Sequence, residues 1–270
     1  MEKIDSIDTI RQLVAEVRAK RKGFLTNFYL DVEKHSIWIN REALFFICVG
    51  DTYFIIRKKE AFWNVYFVST GLDDLEHGLE FLKSKFFDVA IMFDIIGKKD
   101  QYDLLLKLFQ RCGYEFSNTL VKMTRISSHE EHWSVHNNVS LASISQIQEI
   151  ERLLYQFFDD KTEQIPYYEE LVTYTTLGHV LVTTENDKVT GFLIYEQNPS
   201  ILYLRYWFVH PDYRNKNIGS HLMNAFLERG KNTKRQLLWV MVNNENAQNR
   251  YRHYGFKEED MYDFIMTNKQ

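Results

Sequence analysis

Residues 207–223 of this 270-residue chain read WFVHPDYRNKNIGSHLM, and this stretch decides the fold. An apolar run ends at Pro211, a short basic and asparagine-rich turn follows, and a helical pattern begins at once. A strand, a tight loop and a helix start in direct succession direct several main-chain N–H groups at one point, where the helix dipole also favours negative charge. The stretch therefore predicts an anion-binding cradle.

The residues around this stretch alternate between helical and strand periodicities. The spacing predicts a short strand over 139–142, amphipathic helices over 144–157 and 166–174, strands over 179–184, 188–196 and 202–209, a helix over 218–229, a strand over 237–242, a helix over 245–254 and a final strand over 256–267. Strands and helices in this order are typical of an α+β fold.

The first half of the chain shows the same order of elements. It predicts a helix over 4–21, strands over 43–49, 52–57 and 62–68, a helix over 72–82, a strand over 88–95, a helix over 102–109 and a strand or strand pair over 114–125. We interpret this as an internal duplication of one α+β unit; a chance likeness between two α+β domains is the alternative. The predicted organisation is a first module at 1–126, a linker at 127–138 and a second module at 139–270.

Composition narrows the class of protein. The net charge is -4 and the pI is about 6.2, so no basic field attracts nucleic acid or an anionic membrane. No apolar run approaches the roughly 20 residues that a membrane helix needs, and the acidic N-terminus does not resemble a signal peptide. We interpret Cys48 and Cys112 as free, buried thiols of a reducing compartment. These features predict a cytoplasmic protein without a nucleic-acid or membrane partner; its oligomeric state stays open.

Two motifs in the second half carry a resemblance to a known family. The first is the loop Arg214-Asn215-Lys216-Asn217-Ile218-Gly219-Ser220, preceded by Val209-His210-Pro211-Asp212-Tyr213. The second is the spaced set Asn244, Ala247, Tyr251, Gly255 and Phe256. In this order the motifs resemble those of the GNAT (Gcn5-related N-acetyltransferase) superfamily over roughly residues 135–270. The loop departs from the family pattern at Asn217, where the family prefers glycine.

The resemblance implies a site for acetyl-CoA as co-substrate, with no metal. The loop residues Arg214 to Ser220 would bind the pyrophosphate. The strand ending at Phe208 and Val209 would splay from the strand over 237–242 and present its backbone to the pantetheine arm. Asn244 and Ala247 would lie along the same arm. Main-chain N–H groups near Val209 would polarise the thioester carbonyl.

The resemblance also places Tyr251 near the thioester sulfur, where a phenol can donate a proton to the leaving thiolate. A packed aromatic side chain is the alternative for Tyr251, and Tyr254 is the nearest competitor for the acid role. A base or a water relay is needed to deprotonate the attacking amine. Glu196 and His210 are the candidates, against the plainer interpretation of both as solvated surface residues.

Acids and aromatics between 157 and 170, including Glu163, suit an amine-bearing acceptor, although a solvated acidic loop explains them equally. The first half has Gly71-Leu72-Asp73-Asp74 where the second has its basic loop, so we expect no cofactor there. His129, His132 and His136 would share one face of a helix and suggest either a metal site or a polar connection.

The sequence thus predicts two tandem GNAT-like modules, each with a mixed, mostly antiparallel sheet flanked by helices. The expected function is acetyl-CoA-dependent N-acetyl transfer to a primary amine, carried by a small molecule or a peptide, by direct attack. The alternatives are a non-catalytic acyl-CoA-binding or interaction protein and a transferase of another acyl or aminoacyl group. The sequence identifies neither the acceptor nor the acyl chain length.

Overall fold

The computed structural model describes residues 1–128 and 130–269. The chain divides into two compact units. One comprises Met1–Leu120 together with the C-terminal segment from Asp260, and the other comprises Val121–Glu259. Each contains a mostly antiparallel sheet with helices, so the predicted α+β class is confirmed.

The first half of the chain alternates short helices with strands that are rich in β-branched and aromatic residues. Its elements in chain order are β1 (Glu2–Lys3), α1 (Ile7–Ala19), β2 (Leu25–Thr26), α2 (Val32–Asn40), β3 (Leu44–Val49), β4 (Thr52–Lys58), β5 (Phe62–Ser69), α3 (Leu72–Lys85), β6 (Ala90–Gly97), α4 (Lys99–Arg111) and β7 (Glu115–Ile126).

The second half follows the same alternation after an irregular stretch. Its elements are β8 (Ser140–Leu141), α5 (Ile147–Phe157), α6 (Asp160–Glu163), α7 (Tyr168–Thr176), β9 (Val180–Glu185), β10 (Lys188–Gln197), β11 (Ile201–Val209), α8 (Ile218–Arg229), β12 (Arg235–Met241), α9 (Glu245–His253) and β13 (Lys257–Thr267).

In the first unit the strands run in the order β1-β3-β4-β5-β6-β13, and β2 pairs with the free part of β5. The β3–β4–β5 meander is antiparallel, whereas β5 and β6 are parallel. The core lies between this sheet and the apolar faces of α3 and α4. Leu75, Leu79, Phe93, Phe109 and Phe264 are among its buried members.

In the second unit the order is β7-β12-β11-β10-β9-β8, with β11 and β12 parallel. One core cluster lies between α5, α7 and strands β9 to β11. The side chains of β11 alternate: Tyr206 and Phe208 enter this cluster, whereas Trp207 and Val209 face the start of α8. This alternation gives the two faces of β11 different surroundings, which matters for the site described below.

A bulge in β11 opens the sheet of the second unit. Ile194 of β10 pairs with Tyr206 but the next residue, Tyr195, pairs with Leu204, so Arg205 is an extra residue on β11. In the part of the chain that the structure describes, the parallel pairing of β11 with β12 runs from Ile201 to Leu204 and ends beside this bulge. A bulge bends its strand, and the two strands separate beyond it.

Some elements differ from the sequence predictions. The helices α2 and α6 were not predicted, and β7 is one long strand. Cys48 is exposed on β3, contrary to expectation, whereas Cys112 is buried, and both are free thiols. The segment from Asp260 lies in the first unit, whereas the predicted division assigned it to the second module. No helix within residues 1–128 and 130–269 has the length and apolar character needed to cross a membrane.

Candidate active site

The loop between β11 and α8 is built around two left-handed residues. After a single helical turn at Pro211–Tyr213, Asn215 has φ 66° and Asn217 has φ 59°. Asparagine is one of the few residues other than glycine that adopts this conformation at modest cost. Asn217 is the residue immediately before α8, and its left-handed backbone turns the chain sharply into the helix. Its side chain makes no capping hydrogen bond to the first N–H groups of α8.

The start of α8 lies close against the sheet because glycines stand at both contact points. A Cβ on Gly219 would lie 3.2 Å from Trp207 Cζ2 and 3.5 Å from Val209 Cγ2. A Cβ on Gly191 of β10 would lie 2.8 Å from Ile218 Cγ2. The close packing fixes the helix start beside the end of β11.

A cleft of about 510 Å³ lies over this helix start. Seven of the predicted cofactor-binding residues line it: Val209, Arg214, Asn215, Asn217, Ile218, Gly219 and Ser220. The predicted loop therefore forms one wall of a real concavity.

Four predicted cofactor residues do not line the cleft. The Phe208 side chain is buried in the core on the other face of β11, so only its main chain could meet a ligand in the opening. Lys216 lies 3.5 Å from Glu185 and over the Tyr213 ring instead. The Asn244 side chain accepts the main-chain N–H of Ala247 at 3.1 Å and so caps α9.

The opposite wall was missed by the sequence analysis. It consists of residues on one face of α9, namely Asn246, Asn249, Arg250 and His253, together with Tyr254, Trp207 and Tyr213. The spacing of three, four and seven residues along α9 could have indicated this face. Arg250 and Arg214 both line the cleft and add positive charge to the helix N-terminus, which suits a polyanionic ligand.

Trp207, which lines the cleft, carries an unused hydrogen-bond donor. Among the described residues, the buried indole Nε1 of Trp207 has no hydrogen-bond partner. Trp207 follows the bulge in β11, in the part of the strand that has left β12. A ligand with a phosphate group at the helix start and an extended polar arm in the opening fits these residues. Acyl-CoA has both parts.

Tyr251 and Tyr254 take different positions. Tyr254 lines the cleft, whereas Tyr251 is buried with its ring 5.6 Å from that of Trp207. Burial raises the pKa of the Tyr251 hydroxyl well above its usual value, and the Glu163 carboxylate raises that pKa further. A phenol with a raised pKa keeps its proton at neutral pH, so it is available as a hydrogen-bond and proton donor to the sulfur as that atom departs.

Glu163 is a further functional candidate. The sequence indicated it only as one of several acids between residues 157 and 170. It ends α6 and accepts a hydrogen bond from the main-chain N–H of Asp159 at 3.0 Å. Burial raises the pKa of its carboxyl to about 7, and nearby Asp159 raises it as well, although the hydrogen bond from Asp159 opposes the shift. Such a group exchanges protons near neutral pH.

The two bases predicted from the sequence have other partners. Glu196 accepts a hydrogen bond from the Tyr174 hydroxyl at 2.9 Å and lies 3.6 Å from Arg205. Glu196 pairs with Tyr203, far along β11 from the loop, so the structure does not bring it to the cleft. His210 uses Nδ1 to accept the main-chain N–H of Asp212 at 3.4 Å, and its ring lies near Phe157.

The histidine hypothesis finds no support in the described residues. His129 lies outside them, and residues 131–136 form no helix that would align His132 with His136. His136 instead stacks on His221 with ring centroids 4.0 Å apart. Within residues 1–128 and 130–269 no three histidine, cysteine, aspartate or glutamate side chains are grouped so as to hold a metal ion.

A strand that bulges and splays is followed by a loop and by a helix that bounds a basic cleft, as the sequence resemblance implied. Residues 144–256 match the model of the acetyltransferase (GNAT) family. This match supports acyl transfer as the general class of reaction for the segment.

A segment of 56 residues is 39% identical to an uncharacterized N-acetyltransferase of Methanocaldococcus jannaschii. The matched segment is 20% of this chain and spans only 25% of the length of that relative.

Solved structures resemble the chain over most of its length. A tandem GNAT protein from the clavulanic acid biosynthesis pathway superposes with a TM-score of 0.63 at 11% identity and covers 98% of this chain and 97% of its own. A GCN5-related N-acetyltransferase from Sphaerobacter thermophilus gives a TM-score of 0.58 at 12% identity, over 80% of this chain and 76% of its own. The tandem GNAT fold is thus confirmed.

Proposed function

We propose that this protein is an N-acetyltransferase that moves an acetyl group from acetyl-CoA to a primary amine. The observation that carries the proposal is the continuity of three features in the second unit: the left-handed loop at the start of α8, the cleft above it and the separation of β11 from β12. Together these features suit the three parts of acetyl-CoA: its pyrophosphate, its extended pantetheine arm and its thioester end.

The binding roles follow from the placement of the residues. The free N–H groups at the start of α8, with Arg214 and Arg250, would hold the pyrophosphate. The separated main chain of β11 at Phe208 and Val209 would pair with the pantetheine arm, and Trp207 Nε1 is a further donor. When bound, acetyl-CoA supplies an activated acyl group, and the chain supplies its orientation.

Tyr251 is the proposed general acid. Its buried hydroxyl retains its proton and lies beside Trp207, next to the opening in the sheet. The amine attacks the thioester carbon directly, so no covalent bond to the protein is needed. The acceptor side is acidic, with Asp159, Asp160 and Glu163 in sequence, which favours a cationic small molecule or peptide.

We also propose that the protein works in the cytoplasm, because free thiols at Cys48 and Cys112 suit a reducing compartment. The acidic net charge argues against a nucleic-acid or membrane partner.

The first test measures release of coenzyme A thiol by the wild type with acetyl-CoA and a panel of amines. We expect Tyr251→Phe to lower kcat about 100-fold or more while the Kd for acetyl-CoA stays within a factor of about three, because only the proton donor is removed.

Tyr254→Phe is the matched control, since it removes the other phenol of the same helix end. A loss in Tyr254→Phe with full activity in Tyr251→Phe would transfer the acid role to Tyr254. A wild type that binds acetyl-CoA but acetylates no amine would favour a non-catalytic acyl-CoA-binding protein.

A further inference from the structure

Glu163 is held in place from two sides. Its carboxylate accepts the Asp159 main-chain N–H at 3.0 Å, which folds the side chain back over α6. The hydroxyl of Tyr206, on β11, donates to the main-chain oxygens of Glu163 at 2.7 Å and of Gln164 at 3.0 Å. These bonds fasten the end of α6 to the strand that forms one side of the opening.

Glu163 and Tyr251 approach the opening from opposite faces of the sheet. Tyr206, which anchors Glu163, points to the α5 side of β11, whereas Trp207, which packs on Tyr251, points to the α8 side. The Glu163 carboxylate nevertheless acts electrostatically on the Tyr251 hydroxyl. Through Tyr206 and Trp207, the two groups therefore flank the part of β11 that has separated from β12.

We propose that Glu163 is the catalytic base, a carboxylate that receives the proton of a cationic primary amine on the face of the opening opposite Tyr251. This inference rests on the proposed function and adds the residue that captures the acceptor. With the acid Tyr251 on one face and the base Glu163 on the other, the thioester carbon would lie between them, where its bond to sulfur is replaced by a bond to nitrogen.

The protons balance in this arrangement. The ammonium group gives one proton to the Glu163 carboxylate, and the neutral nitrogen forms its bond to the acyl carbon while the carbon–sulfur bond breaks. Tyr251 gives its proton to the departing sulfur and regains one from the nitrogen. Glu163 then releases its proton to solvent, so an ammonium and a thioester become an amide, a thiol and one free proton.

The surroundings of Glu163 suit this exchange. The pKa of Glu163 is about 7, which is closer to the pKa of an ammonium group than the pKa of an ordinary glutamate is. Transfer of a proton from the ammonium to Glu163 is therefore less unfavourable. The titratable groups that act on it or are acted on by it are Asp159 on its own turn, Tyr206 on β11 and Tyr251 on α9. Because the base must be deprotonated, activity should rise with pH through this pKa.

The test compares Glu163→Gln with Glu60→Gln. Glutamine keeps the length of the side chain and an oxygen to accept the Asp159 N–H, whereas Glu60 is an exposed carboxylate in the turn between β4 and β5 of the first unit. The probes are spermidine, glucosamine and an Ala-Lys-Ala peptide. For the amine that the wild type accepts, we expect Glu163→Gln to lower kcat about 100-fold or more and to abolish the rise near pH 7, with acetyl-CoA affinity unchanged and Glu60→Gln like the wild type.

A second measurement needs no acetyl-CoA. Carbon-13 NMR of side-chain carboxyls in the free protein should show a resonance that is absent from Glu163→Gln and titrates near pH 7. Addition of the accepted amine should lower its midpoint, because a bound ammonium favours the carboxylate.

Three results would overturn the inference. If Glu163→Gln keeps activity within a factor of about three and retains the pH dependence, Glu163 is not the base and the proposed function still stands. If the rise survives in Glu163→Gln but disappears in His210→Gln, the base is His210. If the wild type transfers no acetyl group to any probe, the proposed function fails and this inference fails with it.

Discussion

The two units each contain a pair of parallel strands that part from one another, but they use the gap differently. Among the residues that the structure describes, β5 of the first unit pairs with β6 from Phe62 to Asn64 and no further, although both strands continue. In the same described ranges, β11 of the second unit pairs with β12 from Ile201 to Leu204 and no further. This strand arrangement is shared, so the two units differ in what occupies the gap.

The chain itself fills the gap in the first unit. The short strand β2 pairs with the free end of β5, Leu25 with Ser69 and Thr26 with Val68. Asn27 then accepts the Phe67 N–H at 2.6 Å and donates to the Asp94 carbonyl at 3.0 Å, so one side chain bridges β5 and β6. The main-chain groups that would pair with a pantetheine arm are already taken by the protein.

The junctions that follow the two strands also differ. The first unit places Asp73 and Asp74 in the first turn of α3, and a Cβ on Gly23 would lie 2.3 Å from the Thr70 carbonyl oxygen. In the second unit, the loop before α8 has two left-handed asparagines, the first turn of α8 contains no acid and a cleft lies above it. An anion site in this fold therefore requires both an open strand edge and a helix start that is free of acids.

Closing the cleft of the second unit should have the largest effect. We expect Gly219→Val to raise the Kd for acetyl-CoA about 100-fold, or about 2.7 kcal/mol, because its branched side chain would meet Trp207 and Val209 in the cleft. Gly219→Ala should give an intermediate value. Isothermal titration calorimetry measures both, and thermal unfolding checks the fold. Binding by Gly219→Val at wild-type strength would mean that acetyl-CoA lies elsewhere.

Opening the gap of the first unit should destabilise it. Asn27→Ala leaves the buried Phe67 N–H without its acceptor, so we expect a loss of about 1–3 kcal/mol in the free energy of unfolding, measured with urea. Asn137→Ala, at an exposed turn position, should change it by less than about 0.5 kcal/mol. We expect no additional acetyl-CoA site in Asn27→Ala, since the acids of α3 remain. A variant as stable as the wild type would show that the bridge does not hold the gap closed.

Placing an acid in the first turn of α8, as in α3, should have opposite effects on helix stability and on acetyl-CoA binding. Ser220 is the third residue of α8, as Asp74 is of α3. We expect Ser220→Asp to stabilise the helix by about 0.3–1 kcal/mol through the dipole. The Kd for acetyl-CoA should rise about tenfold because like charges repel. Ser220→Asn controls for size. If Ser220→Asp binds acetyl-CoA as the wild type does, an acid in the first turn of α8 does not oppose binding.

Local signals made part of this structure predictable. The bounds of α8 were predicted as observed, because a Pro-containing turn and an asparagine precede a clear apolar periodicity. The loop wall of the cleft was predictable for the same reason, since its residues are consecutive. The helix α2 was hidden because its buried side chains, His35 and Trp38, are not typical of an apolar stripe.

The rest of the site depends on contacts between distant elements. Glu163 acquires its raised pKa from burial at the end of α6, and the opening beside β11 depends on the bulge at Arg205. Strand β2 has two residues and no periodicity of its own, so its position on β5 is a product of the tertiary fold. The acids Asp73 and Asp74 gave an electrostatic reason to expect no cofactor in the first half, and the structure adds a steric one.

The placement of β13 has a consequence for synthesis on the ribosome. Phe264, Ile265 and Met266 are buried in the first unit, although they are translated after the whole of the second unit. The second unit is one continuous segment, Val121–Glu259, and emerges whole before them. The first unit is thus completed after the second one, and a premature stop just after Glu259 would deprive the N-terminal half, not the segment that matches the GNAT family model, of its core strand.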